Sequence, residues 1–163
     1  MKTTHANALA AGAFLFAIGS SAALAGGPKP FEVEFDKCYA HDGDPPYLFT
    51  FSGPASFGKV TGTVDAKVLV YVVGIEKNWT HIQADYVVTA GPDSFTARVG
   101  GRRDDRTGDA VLNGFVSEGP LPIVGADVHD EFASYSRGSL PCAKGTLYIT
   151  PRWKQTHGDD NDD

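Results

Sequence analysis

Residues 60–72 read Val60-Thr61-Gly62-Thr63-Val64-Asp65-Ala66-Lys67-Val68-Leu69-Val70-Tyr71-Val72. Every second residue, from Val60 through Gly62, Val64, Ala66, Val68 and Val70 to Val72, is Val, Gly or Ala. Side chains of a β-strand alternate between its two faces, so a period of two gathers this whole set on one face. β-Branched side chains fit a pleated surface, and small ones let a neighbouring backbone come close. The stretch predicts a long strand whose inner face lines a tightly curved interior.

The same period extends outward from it in both directions. Upstream, Phe31-Glu32-Val33-Glu34-Phe35-Asp36 alternates apolar and acidic residues, and Tyr47, Phe49 and Phe51 share one face of a strand from Tyr47 to Ser52. Downstream, Ile82, Ala84, Tyr86, Val88 and Ala90 form an apolar row, followed by Phe95, Ala97 and Val99. Ala110, Leu112, Gly114 and Val116 make a further row, and two more strands are predicted from about Ala126 to Tyr135 and from about Gly145 to Trp153. Gly91-Pro92-Asp93, Asp105-Arg106-Thr107-Gly108 and Glu118-Gly119-Pro120 separate these runs with turn chemistry. Eight short strands punctuated in this way predict an all-β fold, either an eight-stranded antiparallel barrel or a β-sandwich.

Two cysteines help to choose between them. Cys38 lies near the end of the first predicted strand and Cys142 just before the last. Bridged, they hold the terminal strands side by side, as closure of an up-and-down barrel requires, and closure leaves no exposed sheet edge. A bridge across so long a loop removes chain entropy worth up to about 4.7 kcal/mol. The barrel is the preferred reading, with the sandwich as the alternative. An eight-stranded barrel of this kind resembles the lipocalin architecture in layout, without the G-x-W signature near the first strand.

The start of the chain bears on where a disulfide forms. Residues 1–25 place Lys2 before an apolar run from Ala8 to Ile18 and end on Ala23-Leu24-Ala25. That is the pattern of a secretory signal peptide cleaved after Ala25. The apolar run is about half of the ~20 residues that a spanning helix needs. An exported, periplasmic or extracellular protein follows, in which paired cysteines are the norm. The expected organisation is a leader over 1–25, one β domain over 26–155 and a disordered acidic tail over 156–163.

Composition narrows the partners. Over 163 residues, 14 Lys+Arg stand against 20 Asp+Glu, a net charge of −6. Nucleic-acid binding needs clustered Lys and Arg to release counterions, so nucleic acid is not the expected partner. No later apolar stretch is long enough for a membrane-spanning helix. Catalytic signatures such as G-x-S-x-G, HExxH, a P-loop or GxGxxG opening a helix are absent from the sequence. His41-Asp42-Gly43-Asp44 reads as an acidic turn, because its surroundings lack the ligand positions of a calcium loop. Arg102-Arg103-Asp104-Asp105-Arg106 reads as a mixed-charge loop, and Asn78-Trp79-Thr80 as an unoccupied glycan acceptor. No metal ion and no cofactor is expected.

One residue breaks its local rule. Alternation from Ala126 through Val128 to Phe132 puts Asp130 on the apolar face. A carboxylate facing an apolar interior has a raised pKa unless paired, the setting of a general acid or a polar ligand contact. A bulge or strand end would instead return it to water. Three functions stay open on these grounds. The first is a non-enzymatic binding protein for a small apolar molecule, with Tyr86, Phe95, Val68 and Val70 in its wall. The second is a small barrel isomerase or cyclase that uses Asp130 to move a proton. The third is an extracellular interaction module, with Leu69, Tyr71 and Val73 as an exposed patch opposite the Val row.

Overall fold

A computed structural model describes residues 29–152, apart from 77, 91 and 92. The leader and the acidic tail assigned from the sequence lie outside these residues, as does Trp153. The strands are β1 Phe31–Asp42, β2 Phe49–Phe57, β3 Val60–Glu76, β4 Trp79–Ala90, β5 Asp93–Asp104, β6 Asp109–Glu118, β7 Asp127–Arg137 and β8 Leu140–Thr150. They form one closed antiparallel barrel in sequence order, with β1 paired to both β2 and β8. That double pairing excludes the sandwich.

Closure is made by a ladder from Phe31 opposite Ile149 to Cys38 opposite Cys142. The two cysteines are directly cross-strand neighbours, with Cα atoms 3.9 Å apart, and they form a disulfide across a sequence separation of 104. The glycines of the inner rows allow the curvature that closure needs. A Cβ on Gly62 would lie 2.0 Å from the Thr89 carbonyl oxygen, and one on Gly114 would lie 1.8 Å from that of Arg98. Both positions therefore require a residue without a side chain.

The inward rows follow the alternation. Val33 and Phe35, Val64, Ala66 and Val68, Ala84, Tyr86 and Val88, Leu112 and Val116, and Leu147 and Ile149 are all buried. The end holding the start of β1 is plugged by aromatic rings: Phe95 meets Phe31 and Phe57 at centroid distances of 6.5 and 6.4 Å. Ile123 of the β6–β7 connection packs on the same core.

Two features depart from the expected strands. First, both terminal strands are longer than expected: β1 runs past Cys38 to Asp42, and β8 starts at Leu140 ahead of Gly145, so that Cys142 lies inside it; Lys37 and Tyr39 follow Phe35 on the inner face. Second, β3 carries an irregularity between Val68 and Val70: Val68 stands opposite Ala84, but Val70 stands opposite Gln83 and Tyr71 opposite Ile82. Leu69 is the extra residue. An added residue in one strand switches the face of everything beyond it. Tyr71 accordingly joins the inner face and Val70 leaves it, so the expected outer patch of Leu69, Tyr71 and Val73 is not formed.

Candidate functional site

Opposite the plugged end the interior is not filled. A cavity of about 450 Å³ opens there, within the range of small-molecule sites. Its wall is made by Ala66 and Val68 of β3, Ile82 and Ala84 of β4, and Ala143 of β8, small side chains that leave the space. Nearer the mouth, Tyr39, Phe49, Phe51 and Tyr71 form an aromatic collar. Phe49 packs edge-on against Phe51 at 5.8 Å and against Tyr71 at 5.4 Å, and Tyr39 meets Phe51 at 6.3 Å. Arg103 of β5 lies on the rim, its guanidinium 5.5 Å from the Tyr71 ring and its Nη2 donating to Asp105 at 2.9 Å. Asp105 also accepts from the buried Thr80 hydroxyl at 2.7 Å, which fixes the rim pair to β4.

The floor is polar. Lys37 of β1 and Tyr86 of β4 both line the cavity, and Lys37 Nζ donates to the Tyr86 hydroxyl. The same ammonium lies 3.7 Å from the centroid of the Tyr86 ring, 4.1 Å from that of Phe35 and 5.2 Å from that of Phe132. Aromatic faces attract a cation, and here they replace part of its lost hydration. Behind this floor is Asp130 of β7, fully buried, between Leu112 and Leu147 in the strand pairing. Neither of its oxygens has a well-formed hydrogen bond, although the Tyr86 hydroxyl is close enough to act on it as a donor and Lys37 to act on its charge.

Burial dominates the ionisation of all three groups. It lowers Lys37 to about 7, with the Asp130 charge working in the opposite direction. It raises Asp130 to about 6, with Lys37 and Tyr86 opposing. It also pushes the Tyr86 hydroxyl well above its usual range, so that Tyr86 stays protonated. The cavity thus ends on an amine and a phenol, with a carboxyl group behind them, and burial has drawn the proton affinities of the amine and the carboxyl towards neutrality and that of the phenol away from it.

Tyr86 and Val68 lie in the cavity wall, whereas Phe95 belongs to the plug at the other end and Val70 faces outward. Val70 borders a shallow outer groove with His81, Gln83 and Arg102. His41 and Asp42, expected in an acidic turn, instead end β1, paired with Thr50 and Phe49, with Asp42 accepting from Tyr39 at 2.7 Å. In the mixed-charge loop Arg103 pairs with Asp105 and Arg106 with Asp104, at 2.9 and 2.6 Å. Among the described residues, no three His, Cys, Asp or Glu side chains converge as a metal site. Lys37 is not among the site residues expected from the sequence, although its place is two residues on from Phe35 in the same phase. Arg103 follows Phe95, Ala97, Val99 and Gly101 in the same way.

On the outer wall, Asp85 is buried under the segment before β2. Arg98 donates to it through Nε and Nη2 at 2.8 and 2.9 Å, and the Tyr47 hydroxyl donates at 3.0 Å. The Arg98 pairing holds the Asp85 carboxyl below its ordinary range. This cluster ties the 43–48 segment to the barrel wall.

Comparison of the chain with protein-family models, with curated proteins and with solved structures finds no match.

Proposed function

We propose that this protein is a non-enzymatic binding barrel that takes a small apolar or aromatic molecule into the cavity between the aromatic collar and the Lys37–Tyr86 floor. The observation that supports this is the cavity itself. An eight-stranded barrel is just wide enough for its side chains to fill it or to hold one small ligand. Here one end is packed with Phe31, Phe57 and Phe95, while small residues keep the other open. The leader pattern of residues 1–25 and the Cys38–Cys142 disulfide support export to an oxidising compartment. No helix among the described residues is long and apolar enough to cross a membrane.

Displacement of a hydrophobic dye, followed together with Trp79 emission at the rim, tests the reading. Saturable binding is expected, and Ala84→Phe, which fills the wall, should weaken it by about tenfold or more, equivalent to about 1.4 kcal/mol. Equal binding by the wild type and this variant, with both folded, rejects the cavity as the site.

A second reading is a small isomerase or cyclase. Its support is Asp130, a buried carboxyl raised to about 6 beside a protonated phenol, which suits proton transfer at neutral pH. Turnover of a candidate substrate that Asp130→Asn abolishes, while dye binding is retained, favours it over simple binding.

A further inference from the structure

We propose that Lys37 is a nucleophile that captures an apolar aldehyde or ketone in the cavity as a Schiff base, making the ligand class carbonyl compounds. The proposal rests on the cavity being a ligand site. Among the described residues Lys37 is the one lysine that lines the cavity, and it is 3% exposed. Its amine sits among the rings of Phe35, Tyr86 and Phe132. A desolvated lysine in an apolar pocket is the usual form of a Schiff-base amine. The position is costly for a residue that serves only structure, because a methionine would fill the same volume without charge. Asp130, fully buried behind it and held by no well-formed hydrogen bond, with the Tyr86 hydroxyl and Lys37 acting on its charge, is equally hard to account for by packing.

The chemistry can be followed atom by atom. The uncharged Nζ gives its lone pair to the carbonyl carbon and the C–N bond forms. The carbonyl π pair moves to oxygen, where the Tyr86 hydroxyl, already bonded to Nζ, can donate a proton. The carbinolamine then loses its hydroxyl as water, with a second proton delivered through Asp130, and the nitrogen pair closes the C=N bond. The amine gives up both hydrogens, which replace the protons delivered by Tyr86 and Asp130, the carbonyl oxygen leaves as water, and no oxidant or reductant takes part. The groups facing this lysine are Tyr86 and Asp130, with Tyr39, Tyr71, Tyr135 and Arg103 around the rest of the cavity. Lys37 lies near 7, so a large fraction is already the free amine at neutral pH, whereas an exposed lysine is almost wholly protonated.

The test uses the oxidised protein and cinnamaldehyde, with cinnamyl alcohol as a probe of the same shape that cannot form an imine. After borohydride reduction, peptide mapping should place the adduct on Lys37, formed about tenfold or more faster than on the exposed Lys59 or Lys144. Lys37→Met should lose that adduct. Asp130→Asn, which keeps the amine but removes the charge that raises its pKa, should shift the pH midpoint of labelling downward. If the alcohol displaces a hydrophobic dye but the aldehyde labels Lys37 no faster than the surface lysines, the Schiff-base proposal is overturned and the binding reading survives. If neither probe enters, both fail. Should Lys37→Met not fold, the mapped wild-type adduct and the Asp130→Asn profile still decide the matter.

Discussion

Lys37 and Asp130 concentrate the cost of the interior in two side chains. Asp130 binds its proton more tightly folded than unfolded, so its contribution to stability is lost as pH rises from 3.8 to about 6. Lys37 does the opposite: the unfolded chain holds the proton more tightly, and stability is gained as pH rises from about 7 towards 10.5. Near pH 10.0 Tyr86 begins to ionise in the unfolded chain and opposes that gain. The pair is therefore least favourable between about 6 and 7. Replacing both residues, Lys37→Met with Asp130→Val, should flatten this trough and raise stability near neutrality by about 1–4 kcal/mol, as removal of buried ion pairs does elsewhere. Urea unfolding across the pH range reads the effect directly, and a trough that persists in the double variant would assign it to other groups. The sequence revealed the inward Asp130 because its strand was followed far enough. Lys37 obeys the same alternation, but it follows the apolar and acidic run of Phe31 to Asp36, and a lysine beside a strand end reads as a solvated side chain.

At the scale of the strand, alternation was legible and its interruptions were not. Gly62 and Gly114 sit in the inner rows because another strand's backbone occupies the space of a side chain. Gly114→Ala should cost about 1–3 kcal/mol as overpacking. Gly100→Ala on β5, where the nearest contact is the flexible Gln83 side chain at 3.3 Å, should stay within about 0.5 kcal/mol. Equal denaturation midpoints for the two variants would contradict this account of the close approach. The irregularity at Leu69 is different in kind. Residues 60–72 look unbroken, and no proline or special turn residue marks the extra position. It is visible only in the pairing with β4, and it moves Tyr71 into the collar while sending Val70 out.

For the whole molecule, the disulfide fastens a seam that the β1–β8 ladder already forms. Replacing both cysteines by alanine should lower stability by about 2–4 kcal/mol through the longer reach of the unfolded chain. The barrel and its dye binding should persist, because the hydrogen-bonded ladder from Phe31 to Cys38 remains. Circular dichroism with denaturant titration would expose a failure, seen as loss of β-structure in the absence of denaturant. The number of strands, their phase away from the irregularity in β3, and the meeting of the chain's two ends could be read from the sequence, because strand alternation is local and the two cysteines are few enough to pair in one way. The choice of barrel over sandwich, the packing of Phe95 into a plug rather than a ligand wall, and the meeting of Lys37, Tyr86 and Asp130 were decided by tertiary structure. Those three residues come from β1, β4 and β7, and closure, register and one added residue in β3 determine which side chains share a level of the interior. None of these is a property of any single segment.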